Sequence, residues 1–232
     1  MVLGGLPLGE DVTNLNVFGW ASTNPIFGGS GSGGSDSSTA VGILQGLEMG
    51  GYTLNAELTE MYTTYRAERV ASGISNQVWT LSEPPASYYT DELINSAKEF
   101  SDVAVVVISR SGGEGADLPM DMSALINGQN GAEANASSVA PANYNYFNAV
   151  YENNGPDDDF DEGEHFLELS KREEEMLGIV TSNFENVIVI INANNTMELG
   201  CWLTTPRSRP PSSPPAPASP ASLPWARSST AP

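Results

Sequence analysis

Two apolar runs constrain the fold of this chain more than any other feature. They lie at 103–109 and 187–192, consist mainly of valine and isoleucine, and contain no charged residue. Runs of β-branched residues without polar alternation are typical of strands that are buried on both faces of a parallel sheet. Helical patterns precede them, at 91–100 and 170–184, in the order found in βαβ units. We therefore predict an α/β fold with a mostly parallel sheet, flanked by helices, in which both strands are fully buried.

The remaining segments are predicted to add one strand and two helices to this α/β fold. The other predicted elements are a strand from Val12 to Trp20, a helix through Val41, Leu44 and Leu47, and a helix from Leu54 to Val70. The helix at 170–184 should begin with a capping box, because Ser170 is followed three residues later by Glu173.

Composition excludes several classes of function. The formal net charge of -20 leaves little that could neutralise phosphates, which excludes nucleic acid as a partner. A basic helix for a membrane surface is excluded for the same reason. The single cysteine, Cys201, and the single histidine, His165, exclude an internal disulfide, a cysteine metal site and a histidine pair for zinc. We expect no metal and no cofactor.

The sequence constrains the cellular compartment only weakly. No apolar run approaches the length of a membrane span. The segment at 1–7 lacks the basic start and the small-residue cleavage site of a signal peptide. The cytoplasm is the default expectation, and the presence of an upstream segment is left open.

A glycine-rich turn with one carboxylate follows the first apolar run. Glu114 stands there between Gly113 and Gly115, in the sequence Ser-Gly-Gly-Glu-Gly-Ala-Asp. Ligands of open α/β sheets collect at the carboxyl ends of strands, and glycines let a substrate approach the backbone closely. From the residues alone, a catalytic carboxylate and a solvated loop residue are equal alternatives.

This turn resembles the acid/base loop of glycoside hydrolase family 3, the β-glucosidase-like enzymes. The resemblance also covers Leu6-Pro-Leu8, the segment 17–24 and Glu198-Leu-Gly200, and it reaches to about Trp202. It implies the family 3 α/β sandwich domain in truncated form. The composition adds a long irregular loop from Pro119 to about Leu169 and a disordered tail.

The resemblance also implies roles for residues of the turn. Glu114 takes the role of general acid/base, and Arg110, Gly113, Gly115 and Asp117 bind substrate or support the loop. Relatives often have Arg after the aspartate of this motif, where this chain has Leu118, so one substrate or loop contact is left open.

Retaining glycosidases need a second carboxylate about 5 to 5.5 Å from the first. In family 3 it is an aspartate on a separate (β/α)8 barrel, and this chain does not contain eight βα repeats. The implied function is a fragment of a retaining β-glycosidase, inactive alone, with a β-linked glucoside or oligosaccharide as substrate and the missing barrel as partner. The alternative is a non-catalytic carbohydrate-binding or accessory module that acts with a barrel partner.

Two loops suggest other ligands. The segment 24–35 is rich in glycine and serine, which raises a nucleotide-binding α/β protein of flavodoxin-like shape as a third alternative. The segment lacks the lysine of a Walker loop, which counts against that alternative. Asp157, Asp159, Asp161 and Glu168 have the spacing of calcium ligands in an EF-hand loop. Position six of that loop is a glutamate instead of the required glycine, which favours a solvated acidic loop.

The composition changes after Trp202. Residues 203–232 contain no Asp or Glu and are rich in Pro, Ser and Ala, so they cannot form a core. We predict a sandwich domain at 1–202 and a disordered tail at 203–232. The tail is explained either by translation out of frame or by a proline-rich linker.

Overall fold

The computed structural model describes residues 8–28, 36–67, 82–112, 121–123 and 158–198. The chain divides into two compact units, 1–197 and 198–232, and the described strands and helices all belong to the first. The strands are β1 (Asn14–Phe18), β2 (Thr53–Leu54), β3 (Val103–Arg110) and β4 (Asn186–Ala193). The helices are α1 (Ile43–Met49), α2 (Ala56–Ala67), α3 (Asp91–Phe100) and α4 (Lys171–Asn183), with short 3-10 turns at Trp20–Ser22 and Ala86–Tyr88.

The strands described form one sheet in which every neighbouring pair is parallel, in the order β2-β1-β3-β4. This confirms the predicted α/β fold. All eight residues of β3 are buried, as expected for a central strand whose two faces are covered.

One prediction about the sheet is wrong. β4 is not fully buried, because each of its eight residues is only partly covered. Within the described residues β4 pairs with β3 alone, so it is an outer strand of the described sheet. An apolar run indicates that a strand prefers burial, but the neighbours of the strand decide whether that burial is complete.

A short strand was not predicted. β2 contains only Thr53 and Leu54 and pairs with β1, so the helix expected from Leu54 begins instead at Ala56. Two residues give too short a pattern for periodicity to detect.

Helix α3 matches its predicted bounds and packs its apolar stripe inward. Leu93, Ile94 and Ala97 are buried, and the Thr90 side chain caps the helix by accepting a hydrogen bond from the Leu93 N–H. Its C-terminal end is joined to the sheet by Asn16 of β1. The amide of Asn16 donates to the carbonyls of Ala97 and Ser101, each at 2.9 Å.

Helix α4 begins with the predicted capping box. The hydroxyl of Ser170 accepts a hydrogen bond from the Glu173 N–H, and the Glu173 carboxylate accepts one from the Ser170 N–H. Met176 and Val180 face the core.

Several predictions concern residues that the structure does not describe. The tail at 203–232 is one, and the domain boundary at 202 therefore stays a prediction. Among the described ranges, no helix combines the length and the apolar character that crossing a bilayer requires.

Candidate functional site

The carboxyl ends of β1, β3 and β4 meet at one edge of the sheet, because the strands are parallel. This is the edge at which ligands of α/β sheets bind. After β3 the structure describes the chain as far as Gly112, two residues before Glu114. Glu114, Gly113, Gly115 and Asp117 lie outside the described residues, so their roles stay predictions.

The segment after β1 turns sharply at this edge. Gly19 has a φ of 96°, and a Cβ atom there would lie 2.1 Å from the Val107 carbonyl oxygen. Only glycine combines that conformation with so close an approach to the neighbouring strand. Trp20, which follows, is buried, and its N–H points to the carboxylate of Glu83.

Arg110 is the last residue of β3 and is fully buried. Its two Nη atoms donate to the two carboxylate oxygens of Glu173, each at 2.6 Å. The remaining N–H groups donate to backbone carbonyls: Nε to Phe166 at 2.7 Å, and the Nη atoms to Ser109 at 2.9 Å and Glu168 at 2.5 Å. All five N–H donors of the guanidinium group are therefore used within the protein.

These contacts are those of a residue that supports a loop. Arg110 ties the carbonyls of Phe166 and Glu168 to the end of β3, and through Glu173 it also holds the first turn of α4. A hydrogen bond from Arg110 to a sugar hydroxyl would require one of the existing bonds to break. Of the two roles implied for Arg110, its geometry therefore favours loop support.

Two further carboxyl groups lie buried beside this ion pair. Burial raises the pKa of Glu83 well above its ordinary value, and repulsion from Glu173 and Asp159 acts in the same direction. Burial also raises the pKa of Asp159, although the hydrogen bond donated by the Ser82 hydroxyl opposes that shift. The charge of Arg110 lowers the pKa of Glu83, but burial and the neighbouring carboxylates raise it more, so a proton on Glu83 reduces the negative charge left in the core.

Two carboxylates of the acidic run at 157–168 bond other parts of the fold. Asp159 accepts hydrogen bonds from the Ser82 hydroxyl and the Arg172 N–H, whereas Asp161 forms an ion pair with Lys171. Asp157 lies outside the described residues. The carboxylates of Asp159 and Asp161 thus both hold the loop to the start of α4, and Asp159 also holds it to Ser82. Calcium binding stays untested.

The buried cluster was only partly visible in the sequence. Arg110 is the one charged residue at the end of an apolar strand, which is a signal that it needs a buried partner. Glu173 was recognised as a helix cap but not as that partner. Glu83 precedes two prolines, and nothing in the pattern marks it as buried.

Two of three comparisons with known proteins find β-glucosidases. No protein-family profile matches the chain. A β-glucosidase of Ruminococcus albus is 34% identical over 118 residues, a region that is 49% of this chain and 12% of that enzyme. The chain therefore spans about an eighth of this curated relative.

Solved structures of β-glucosidases share the fold. A β-glucosidase from Paenibacillus barengoltzii superposes with a TM-score of 0.54 at 24% identity, over 84% of this chain and 17% of that enzyme. β-Glucosidase 3B from Thermotoga neapolitana, in complex with glucose, superposes with a TM-score of 0.54 at 24% identity, over 85% of this chain and 22% of that enzyme. The chain is thus similar to part of the β-glucosidases of glycoside hydrolase family 3, as its sequence predicts.

Proposed function

We propose that this chain is the part of a retaining β-glycosidase that supplies the general acid/base carboxylate, Glu114. The observation that carries the proposal is the place of this residue in the chain. Glu114 stands four residues after Arg110, the last residue of the central strand, and two residues after Gly112, where the described chain stops. The sheet shares its fold with β-glucosidases. Two residues of chain span at most about 7 Å, so Gly112 limits where the carboxylate can lie.

The chemistry requires a second domain. In a retaining mechanism one carboxylate attacks the anomeric carbon, while the other protonates the leaving oxygen and later activates water. We assign the second role to Glu114 and the attack to an aspartate of a (β/α)8 barrel outside this chain. The substrate is then a β-linked glucoside or oligosaccharide, held between the barrel and the edge of the sheet.

Two carboxyl groups that are buried in the described part of the chain are poor candidates for this role. Glu83 and Glu173 are 1% and 2% exposed, and both are bonded inside the fold. A general acid must reach the leaving oxygen within hydrogen-bond distance. We therefore assign Glu83 and Glu173 to stability.

A hybrid enzyme tests the proposal. In the Ruminococcus albus β-glucosidase, the matching region is replaced by this chain, and hydrolysis of an aryl β-glucoside is measured. We expect turnover that falls by about 10²- to 10⁴-fold in the Glu114→Gln hybrid. Glu99→Gln is the control, because Glu99 is exposed near the opposite end of β3.

Azide makes the test specific to acid/base catalysis. With a dinitrophenyl glucoside the leaving group needs no protonation, so a Glu114→Ala hybrid should form the glycosyl-enzyme and then stall. Azide attacks that intermediate without a general base and should restore turnover as a glycosyl azide product. Full activity in the Glu114→Gln hybrid would contradict the proposal.

A further inference from the structure

Three asparagines at the end of β4 bond two other segments of the same sheet edge. We call Asn192, Asn194 and Asn195 the asparagine clamp. Asn192 lies within β4, and the other two follow its last residue. The segments that they bond each lead into a glycine-rich stretch, at 29–35 and at 113–115.

Asn192 holds the segment that follows β1. Its Oδ1 atom accepts a hydrogen bond from the Ile26 N–H at 2.7 Å, and its Nδ2 atom donates to the Ile26 carbonyl at 2.9 Å. The Ser109 hydroxyl lies 2.8 Å from the same Oδ1 atom. One side-chain amide therefore satisfies both backbone groups of Ile26, as a neighbouring strand would. It does so although β3 separates β1 from β4 in the sheet.

Asn194 and Asn195 hold the end of the chain that leaves β3. The amide of Asn195 donates to the Ser111 carbonyl at 3.2 Å, and the amide of Asn194 donates to the Gly112 carbonyl at 3.3 Å. A Cβ atom on Gly112 would lie 2.1 Å from Nδ2 of Asn195. Asn195 therefore packs directly on the Gly112 backbone, and any side chain at that position would displace it.

We propose that the asparagine clamp positions Glu114 by fixing the backbone at Gly112 relative to the segment at Ile26. The proposal rests on the function proposed for Glu114, because the clamp affects catalysis only if that carboxylate acts. Its members are positioning residues whose amides bond the protein backbone. A displacement of about 1 Å at a reacting group can cost on the order of 100-fold in rate, so the start of this loop has to be held firmly.

Three single variants of the full chain test the clamp by NMR. Asn192→Ala removes the acceptor of the Ile26 N–H, and Asn195→Ala removes the contact on Gly112. Asn186→Ala is the matched control, because Asn186 begins the same strand at its opposite end, where its side chain donates to the Asp102 carboxylate at 3.4 Å.

The expected result is local and differs between the variants. Asn192→Ala should speed hydrogen exchange of the Ile26 amide by about threefold to tenfold, the effect of losing one net hydrogen bond. Asn195→Ala should lower the backbone order parameter of Gly112 from about 0.85 towards 0.6, the range that separates rigid from flexible backbone. Asn186→Ala should change neither. The clamp would be overturned if the exchange rate of the Ile26 amide and the order parameter of Gly112 matched those of the control in both variants. A uniform rise in hydrogen exchange across the whole chain would also overturn it.

A second readout separates the clamp from the function of Glu114. In the hybrid enzyme, Asn195→Ala should lower kcat with little change in KM, and Asn195→Gln, which keeps the amide, should recover part of the loss. An active hybrid whose kcat Asn195→Ala does not lower would overturn the positioning role while leaving the proposed function intact. A Glu114→Gln hybrid of full activity would overturn the proposed function, whereas the NMR result would still decide whether the clamp exists.

Discussion

Arg110 and Glu173 form a doubly hydrogen-bonded ion pair at the carboxyl end of β3, with both N···O distances at 2.6 Å. Both side chains are almost completely shielded from solvent. The pair joins the central strand to the first turn of α4. Removing the partner of a buried charge lowers the free energy of unfolding much more than removing the partner of an exposed charge, and this difference can be measured.

The first prediction concerns this pair. Glu173→Gln leaves the Arg110 charge buried without its counterion and should lower the free energy of unfolding by about 3–5 kcal/mol in urea denaturation. Glu175→Gln breaks the exposed pair with Arg172 and should cost less than about 1 kcal/mol. Similar losses in the two variants would contradict a structural role for the buried pair. Replacing both partners, as Arg110→Met with Glu173→Leu, should recover much of the loss.

The second prediction is a pH dependence that originates at Glu83. Its pKa is raised in the folded state, mainly by burial, with repulsion from Glu173 and Asp159 adding to the shift and the charge of Arg110 opposing it. Above about pH 4.5 the folded protein therefore keeps a proton that the unfolded chain releases. The free energy of unfolding should then fall as the pH rises from that value towards the raised pKa.

Glu83→Gln isolates this contribution. Glutamine keeps an acceptor for the Trp20 N–H but cannot ionise, so the variant should lose part of the decline in stability between pH 5 and pH 8. Denaturation midpoints measured across that range provide the check, with the exposed Glu99→Gln as control. Parallel curves for the wild type and Glu83→Gln would contradict a raised pKa at this residue.

The third prediction contrasts two glycines. Gly19→Ala should destabilise the protein by more than about 2 kcal/mol, because Cβ would meet the Val107 carbonyl at a position with positive φ. Gly178 lies on the exposed side of α4 with open space around it. Gly178→Ala should stabilise by about 0.5–1 kcal/mol through helix propensity. Thermal unfolding of both variants tests the contrast, and the same sign of change in both would refute it.

The fourth prediction concerns the link between β1 and α3. Asn16 is fully buried, donates to two carbonyls of the α3 terminus, and accepts from the Asn55 amide at 2.8 Å. Asn16→Leu leaves these groups buried without partners and should cost about 3 kcal/mol or more. Asn95→Leu, on the exposed face of α3, should stay within about 0.5 kcal/mol of the wild type. Chemical denaturation distinguishes the two.

The fifth prediction is that the chain does not hydrolyse aryl β-glucosides by itself. The reaction needs two carboxylates, and we place the nucleophile on a domain outside this chain. The purified chain should therefore give no turnover above the uncatalysed rate in a chromogenic assay. Turnover that disappears in Glu114→Gln would show instead that the chain carries a complete site.

Local pattern was sufficient for much of the fold. Helix α3 and strand β3 were predicted to within a residue, since the helical stripe and the β-branched run each depend on their own sequence. The capping box of α4 was predicted for the same reason, as both of its partners lie within four residues. The parallel sheet followed from the alternation of these elements.

Part of the candidate site was also within reach of the sequence. The glycine-rich turn after β3 contains the motif that resembles family 3 enzymes, and the parallel arrangement of strands places its start at the edge where α/β sheets commonly bind ligands. The anchoring of that turn could not be predicted. Asn194 and Asn195 stand more than eighty residues from the carbonyls that they bond, and an asparagine in a loop gives no sign of its partner.

The sequence by itself determined most of the segments that become strands and helices, where α3 and α4 begin, and where the candidate carboxylate stands in the chain, because these features depend on residues that are close together in the sequence. Only the tertiary structure decided that β4 lies at the edge of the described sheet, that Arg110 uses all of its donors inside the protein, and that Glu83 is buried. Burial and partner choice depend on which distant segments meet, and that is settled by packing of the whole sheet and its helices.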